Sequence, residues 1–330
     1  MAKWQYTKGL HDIGNGCWAY LQPDGGWGWS NAGLVTDGEA TLLVDTLFDL
    51  KLTAEMLDEM HRSVPASKSI QTLVNTHANG DHTFGNELVK GAKIIASDGT
   101  NSEFDHVTPA AFKAIMDNVE QFGKAGEFVL ECFRPFDFGG ITLTYPDEVF
   151  SGETDVKVGS KTLKLIEVGP AHTKGDTLVY LPEEKILYTG DILFNEGTPI
   201  SWAGPISHWI DVLKRIEGMD VEVVVPGHGG IADKAAVRAM RGYLEFITDE
   251  TRKRYDRGME VMDAALDIAL GDYALWGDAE RLVVNVQTLY DEFGGGAVAR
   301  DPIPFFEHMK ILREKLDRDC ATGACGHDHH

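Results

Sequence analysis

Four stretches of this chain place metal-ligating residue types directly behind a strand-like apolar run. Ile70–Val74 leads into Thr76-His77-Ala78-Asn79-Gly80-Asp81-His82, Thr162–Val168 into His172, Lys185–Tyr188 into Asp191, and Val221–Val225 into His228. Strand ends followed by short loops are where a rigid scaffold presents converging side chains. Imidazole and carboxylate are the ligands of a catalytic zinc or a non-haem iron. Of the twelve histidines, His77, His82, His172 and His228 fall in this pattern, whereas His11, His61, His106, His208 and His308 do not. One loop histidine is ordinarily structural or merely exposed. Four, joined by two aspartates, point to a metal centre.

The context of these residues sharpens the reading. Thr76-His77-x-Asn79-x-Asp81-His82, Gly169-Pro170-Ala171-His172-Thr173-x-Gly175-Asp176, Tyr188-Thr189-Gly190-Asp191 and Pro226-Gly227-His228-Gly229 occur in this order. Over roughly residues 15 to 235 the chain resembles the metallo-β-lactamase fold superfamily. The resemblance implies an α/β fold, a four-layer αββα sandwich with one or two metals at one edge of the facing sheets, and mainly hydrolytic chemistry. Carried over by position, it implies a first metal site of His77, residue 79 and His172. It implies a second site of Asp81, His82 and His228, with Asp191 bridging the two. The chain departs from that pattern at Asn79, where dinuclear members usually carry histidine. An amide oxygen is a weaker zinc ligand than an imidazole nitrogen. The second site therefore keeps its full complement and the first does not. Asn79 can ligate through its oxygen, or hold a water or substrate oxygen by a hydrogen bond.

The expected cofactor is zinc, one or two ions per active site, with iron or manganese as alternatives. Such an ion lowers the pKa of its water from about 16 to about 7, so the expected reaction is hydrolysis by metal-bound hydroxide. Asp81 is expected to orient the water as well as ligate, and Asp191 to offset the cations. Candidate bonds are a lactone, ester, thioester, amide, sulfate ester or aryl halide. The alternative is a mononuclear iron-dependent oxidoreductase using His77, His172 and Asp191, a set resembling that of the superfamily's sulfur dioxygenases. Asp176, four residues after His172, is either a partner that orients an imidazole or an exposed strand-starting residue.

Two aromatic stretches are candidates for the substrate pocket. Pro23-Asp24-Gly25-Gly26-Trp27-Gly28-Trp29 reads either as a glycine-loosened flap or as a hairpin whose tryptophans pack on the sheet. Asn195 to Trp209, which holds Trp202 and His208, follows Asp191 directly. Both suggest a small apolar or aromatic substrate. The ending Cys320-x4-Cys325-x-His327-x-His329-His330 matches no zinc-finger spacing and reads as a disordered tail over 319–330.

The elements that must carry these residues are legible by period and punctuation. Ala32–Val35 and Ala40–Val44 read as a hairpin turning at Asp37-Gly38. Lys51–Met60, Thr108–Phe122 and Glu127–Phe133 read as helices. Strands are expected around Ile70–Val74, Val149, Val156, Thr162–Val168, Thr177–Leu181, Lys185–Tyr188 and Val221–Val225. After about residue 232 the pattern turns helical. Asp278 is a candidate N-cap for a helix through Leu282, Val283, Val286, Leu289, Tyr290 and Phe293, and a last helix runs from about Phe305 to Leu316. The expected organisation is a catalytic domain over 1–235 and a helical extension over 236–318, packed on it or at the interface of a homodimer.

Composition bounds the rest. A chain of 330 residues that is 43% hydrophobic can bury a large core, which excludes global disorder. No apolar run approaches the roughly 20 residues a membrane helix needs, and the first ten residues show no secretory signal. With 52 acidic against 30 basic residues the net charge is −22. That excess disfavours nucleic acid and anionic membranes and suits a small-molecule substrate or a cation. Four irregularly spaced cysteines and no signal point to the cytoplasm.

Overall fold

A computed structural model describes residues 4–296 and 303–321. Among these described residues, twelve strands form two facing sheets. The first holds β1 (Gly9–Gly14), β2 (Cys17–Leu21), β3 (Ala32–Asp37), β4 (Ala40–Val44), β5 (Thr72–Val74), β6 (Lys93–Ser97) and β7 (Glu148–Phe150), in that spatial order. It is antiparallel from β1 to β4 and parallel from β4 to β7. The second holds β8 (Glu153–Val158), β9 (Lys161–Glu167), β10 (Thr177–Leu181), β11 (Ile186–Tyr188) and β12 (Val223–Val225), in the spatial order β12-β11-β10-β9-β8. Only its β11–β12 pair is parallel.

Alternation along the strands divides the apolar residues between two cores, because successive strand side chains face opposite ways. Leu42, Val44, Val179, Leu181, Val223 and Val225 fill the space between the sheets. Leu43, Leu178 and Val224, one position out of step, join the helix-facing core. Helix α1 (Leu50–Ser63) starts where Asp49 accepts the Leu52 N–H at 2.7 Å. It buries Leu52, Met56 and Met60 at helical spacing. A short helix, α2 (Gly80–Thr83), carries Asp81 and His82; α3 (Asp98–Asn101) follows β6. An insertion, α4 (Pro109–Asp117) and α5 (Gly123–Phe133), brings Phe112 and Phe133 into an aromatic cluster with Phe48, Phe136 and Phe138, and sets Phe128 against Trp27 and Phe306.

Helix α6 (Ile206–Gly218) buries Trp209 and Leu213, and α7 (Lys234–Tyr255) packs against it. Then come α8 (Val261–Asp267), α9 (Leu282–Gly294) and α10 (Ile303–Ala321), with α10 laid on α5. Val237, Met240, Leu282, Val286, Met309 and Leu312 join the same helix-facing core as the sheet residues. No helix among the described residues is long and apolar enough to cross a membrane.

Several expectations shift in detail. The strand expected over Ile70–Val74 is shortened to Thr72–Val74, because Pro65–Ser69 forms a 3₁₀ turn ahead of it. Asp278 does not cap α9. Its backbone is left-handed (φ 56°), a 3₁₀ turn over Ala279–Arg281 intervenes, and its carboxylate pairs with Arg281 at 2.9 Å.

Candidate metal centre

The β4–β5 and β11–β12 pairs are parallel, so the ends within each pair lie side by side, and contacts among Asp45, His77, His82, Asp191 and His228 bring all four ends to one edge of the sandwich. Each end supplies part of one buried cluster. His77 and α2 follow β5, Asp191 follows β11, His228 follows β12, and His172 comes from the β9–β10 connection. Their side chains converge on Asp191. Its carboxylate oxygens lie 3.1 Å from His82 Nε2, 3.4 Å from His172 Nε2, 3.4 Å from His228 Nε2 and 3.8 Å from His77 Nε2. Asp81 Oδ2 lies 3.3 Å from His228 Nε2 and 3.9 Å from His82 Nε2. Two triads, His77–His82–Asp191 and Asp81–His82–His228, each bring their donor atoms within 4.8 Å of one another.

The far side of every imidazole is engaged by a partner that dictates its tautomer. His172 Nδ1 meets the Ile200 carbonyl at 2.6 Å and His228 Nδ1 meets the Gly25 carbonyl at 3.0 Å. A carbonyl can only accept, so both nitrogens carry the proton. His82 Nδ1 donates to Asp45 Oδ2 at 2.9 Å. Thr76 Oγ1 donates to the same oxygen at 2.6 Å, so it has only lone pairs left for His77 Nδ1 at 3.0 Å. All four neutral rings are thereby Nδ1–H tautomers with the Nε2 lone pair facing the cluster. His77 Nε2, His82 Nε2 and Asp191 Oδ1 are buried and have no hydrogen-bond partner. A convergent set of imidazole lone pairs and carboxylates with orphaned buried donors fits a divalent metal ion.

The electrostatics agree. Burial opposes charge on every group here, yet His228 beside Asp191 and Asp81 is raised to about 9, and His82 among Asp191, Asp81 and Asp45 is raised well above its ordinary value. Burial and the neighbouring His82 hold His77 well below its ordinary value, and burial lowers His172. Despite burial, the imidazoles hold Asp81 at about 2 and Asp191 well below the usual carboxylate range. The carboxylates stay ionised and demand positive charge.

Asn79 takes a different part from its neighbours. Its Nδ2 lies 3.1 Å from His172 Nε2. Because His172 carries its proton on Nδ1, Nε2 is an acceptor, so the amide nitrogen rather than the oxygen faces it. The rings of His77 and His172 lie 5.0 Å apart, and His172 Nε2 is also 3.4 Å from Asp191 Oδ2.

Other residues singled out above have more ordinary tasks. Asp176 is buried, but it binds the Thr173 N–H (2.9 and 3.1 Å) and hydroxyl (2.6 Å) and orients no imidazole. Trp27 donates to Glu280 at 2.9 Å, and Trp29 lies 4.8 Å from Phe136. Trp27 also meets Phe128 and Phe133 edge-on, so both rings pack against α5 and the segment that follows it. The loop's glycines serve close approach. A Cβ at Gly28 (φ 76°) would overlap the Phe48 and Phe136 rings, and one at Gly25 (φ 80°) would overlap Tyr6 and crowd Gly229. Trp202 is half-buried, and its backbone N–H donates to the His172 carbonyl at 2.9 Å. His208 is exposed on α6, with its Nε2 2.9 Å from the Val168 carbonyl, and no hydrogen bond joins it to the four imidazoles. Cys325, His327, His329 and His330 lie outside the described residues, as does the side chain of Cys320.

Comparison with known proteins agrees with this geometry. Residues 25–228, more than half of the chain, match the metallo-beta-lactamase superfamily, and the protein belongs to that family. It is similar to an alkyl/aryl-sulfatase of Saccharomyces cerevisiae, 20% identical over 87% of this chain and 50% of that protein. It is also similar to a human acyl-coenzyme A thioesterase, 26% identical over 60% of this chain and 72% of that protein. Among solved structures, the stereoselective inverting sec-alkylsulfatase of Pseudomonas sp. aligns with a TM-score of 0.64 at 16% identity, over 96% of this chain and 57% of that one. That likeness shows the fold. The chain spans only about half the length of several curated relatives that it matches.

Proposed function

We propose that this protein is a zinc-dependent hydrolase of a small molecule, holding one ion tightly at Asp81, His82 and His228 with Asp191 beside it. The observation that carries this reading is the locked tautomer set: four Nε2 lone pairs turned toward one carboxylate, with no proton donor among them in the neutral state. The ion supplies Lewis acidity, lowering the pKa of its water and polarising the group under attack. The chain's own residues do the rest. Asp81 is 13% exposed against 4% for Asp191, so it is the carboxylate that incoming water reaches, and it orients that water and accepts its proton. Asn79, half-buried and bonded to His172 through one N–H, retains a second N–H to offer a substrate oxygen. The relatives named a sulfatase and a thioesterase support a sulfate ester or thioester as the bond broken.

The test is metal analysis of protein lacking residues 319–330, with turnover of sulfate esters, thioesters, lactones and amides in the presence and absence of oxygen. Zinc with oxygen-independent turnover is expected. Iron with oxygen consumption would overturn the hydrolase reading in favour of an oxidoreductase built on His77, His172 and Asp191.

A further inference from the structure

The ring of His228 is held from two sides, and both supports lean on one residue of the C-terminal region. Its Nδ1 donates to the carbonyl of Gly25 in the β2–β3 loop. Its face stacks on Phe194, with centroids 5.1 Å apart and planes within 6°. The guanidinium of Arg281, just ahead of α9, lies 4.4 Å from the Trp27 ring of that loop and 5.2 Å from the Phe194 ring. Arg281 lies beyond the 25–228 span of the family match.

The turn that carries Arg281 is stitched to both supports. Gly277 bridges Gly197, and its carbonyl accepts the Thr198 N–H at 2.8 Å. Arg281 itself is 2% exposed; it donates to the Thr198 carbonyl at 3.0 Å and pairs with Asp278 at 2.9 Å. Glu280, also buried, accepts from Trp27 Nε1 and pairs with Arg313 of α10. Arg281 Nε is buried without a partner. A buried ionic group that leaves a donor unsatisfied is a poor device for stability alone. Its planar cation set between two aromatic faces is, in contrast, well suited to fixing their positions.

We propose that Arg281 is a positioning residue for His228, clamping the Trp27 loop and Phe194 together so that the Gly25 carbonyl and the Phe194 face fix the imidazole's orientation and tautomer. The C-terminal region is thus part of the metal centre without supplying a ligand. This rests on the reading of His228 as a ligand, and the experiment separates the two.

Zinc dissociation constants are measured by chelator competition for the wild type, Arg281→Met, Phe194→Leu and His228→Ala. Ring-nitrogen NMR of the zinc-loaded proteins, in which the ring is neutral, reports the His228 tautomer, and urea denaturation reports folding. Arg281→Met is expected to weaken zinc binding by about tenfold to a hundredfold, the range found when a ligand's supporting partner is lost. It is also expected to turn the single Nδ1–H signature of His228 into a mixture. Phe194→Leu, which keeps the site apolar and removes the stacked face, is expected to weaken binding in the same direction, and it decides the matter if Arg281→Met does not fold. Undiminished zinc affinity in His228→Ala would overturn the ligand reading itself. Loss of zinc in His228→Ala with wild-type affinity and tautomer in folded Arg281→Met, or in Phe194→Leu if that variant alone folds, would overturn the positioning role and leave the ligand reading standing.

Discussion

At the scale of single residues, the centre differs from an ordinary buried ion-pair cluster in having its lone pairs aimed by partners on the far side of each ring. Losing one of three protein ligands removes much of the metal-binding free energy. His228→Ala and Asp81→Ala are therefore expected to abolish turnover and cut zinc content while the far-ultraviolet circular dichroism stays that of the wild type. Full activity in either variant would remove the assignment. On the proposed function, Asn79 governs how many ions are held. With its amide nitrogen on the His172 lone pair, the side built on His77 and His172 lacks an oxygen or nitrogen donor at position 79. The wild type is expected to hold nearer one ion than two, and Asn79→His to raise the number toward two, since imidazole is the better zinc ligand. Asn79→Ala is expected to lower kcat by roughly 10²–10³, the cost of losing one hydrogen-bond donor to a developing oxyanion. Two tightly held ions in the wild type, or unchanged turnover in Asn79→Ala, would refute these two roles separately.

At the scale of elements, the loop between β9 and β10 shows how one buried carboxylate sets the shape that carries a ligand. Asp176 ties down the Thr173 backbone one residue beyond His172. Burial raises its pKa from 3.8 to about 7, against the lowering effect of the Thr173 hydrogen bonds. A carboxyl whose folded pKa lies above its unfolded one favours the folded state fully below about 3.8, and this contribution is lost as pH rises through about 7. Asp176→Asn cannot ionise. Its stability relative to the wild type is therefore expected to improve between pH 5 and pH 8 in urea denaturation. A wild-type-to-variant difference that is the same at both pH values would show that the burial of this charge carries no such cost.

At the scale of the molecule, the helix-facing core is continuous from the sheet residues Leu178 and Val224 to Val237, Met240, Leu282, Met309 and Leu312. Apolar surface shared in this way couples the parts that contribute it. Calorimetry is expected to show one unfolding transition rather than separate transitions for the sandwich and the helices after residue 235. A chain ending at residue 235 is expected to aggregate, because it exposes the faces that α7, α9 and α10 cover. Two resolved transitions, or a soluble monomeric truncation, would show the helical region to be an independent unit.

The metal-ligand residue types and their placement behind strands were legible in the sequence, because strand period and ligand chemistry leave local marks. Those marks single out His77, Asp81, His82, His172, Asp191 and His228, which the fold brings close together, and the hairpin of β3 and β4 turns at Gly38-Glu39, one residue on from the Asp37-Gly38 signal. Strands β1, β2 and β6 are not read from the sequence, and neither is helix α6, although its Ile206, Trp209, Ile210, Leu213 and Ile216 recur at helical spacing. The partners that aim the imidazoles were not readable either. Asp45 serves His82 from 37 residues away, Ile200 serves His172 from 28, and Gly25 serves His228 from 203. Two of these three act through a backbone carbonyl, a group every residue carries, so no residue type could have announced them. The same holds for Arg281, whose helical context suggests only a surface cation until the fold closes it between Trp27 and Phe194. Local pattern determined which side chains could ligate. Only tertiary structure decided which nitrogen of each ring faces the centre, because that choice belongs to the atom on the ring's other side.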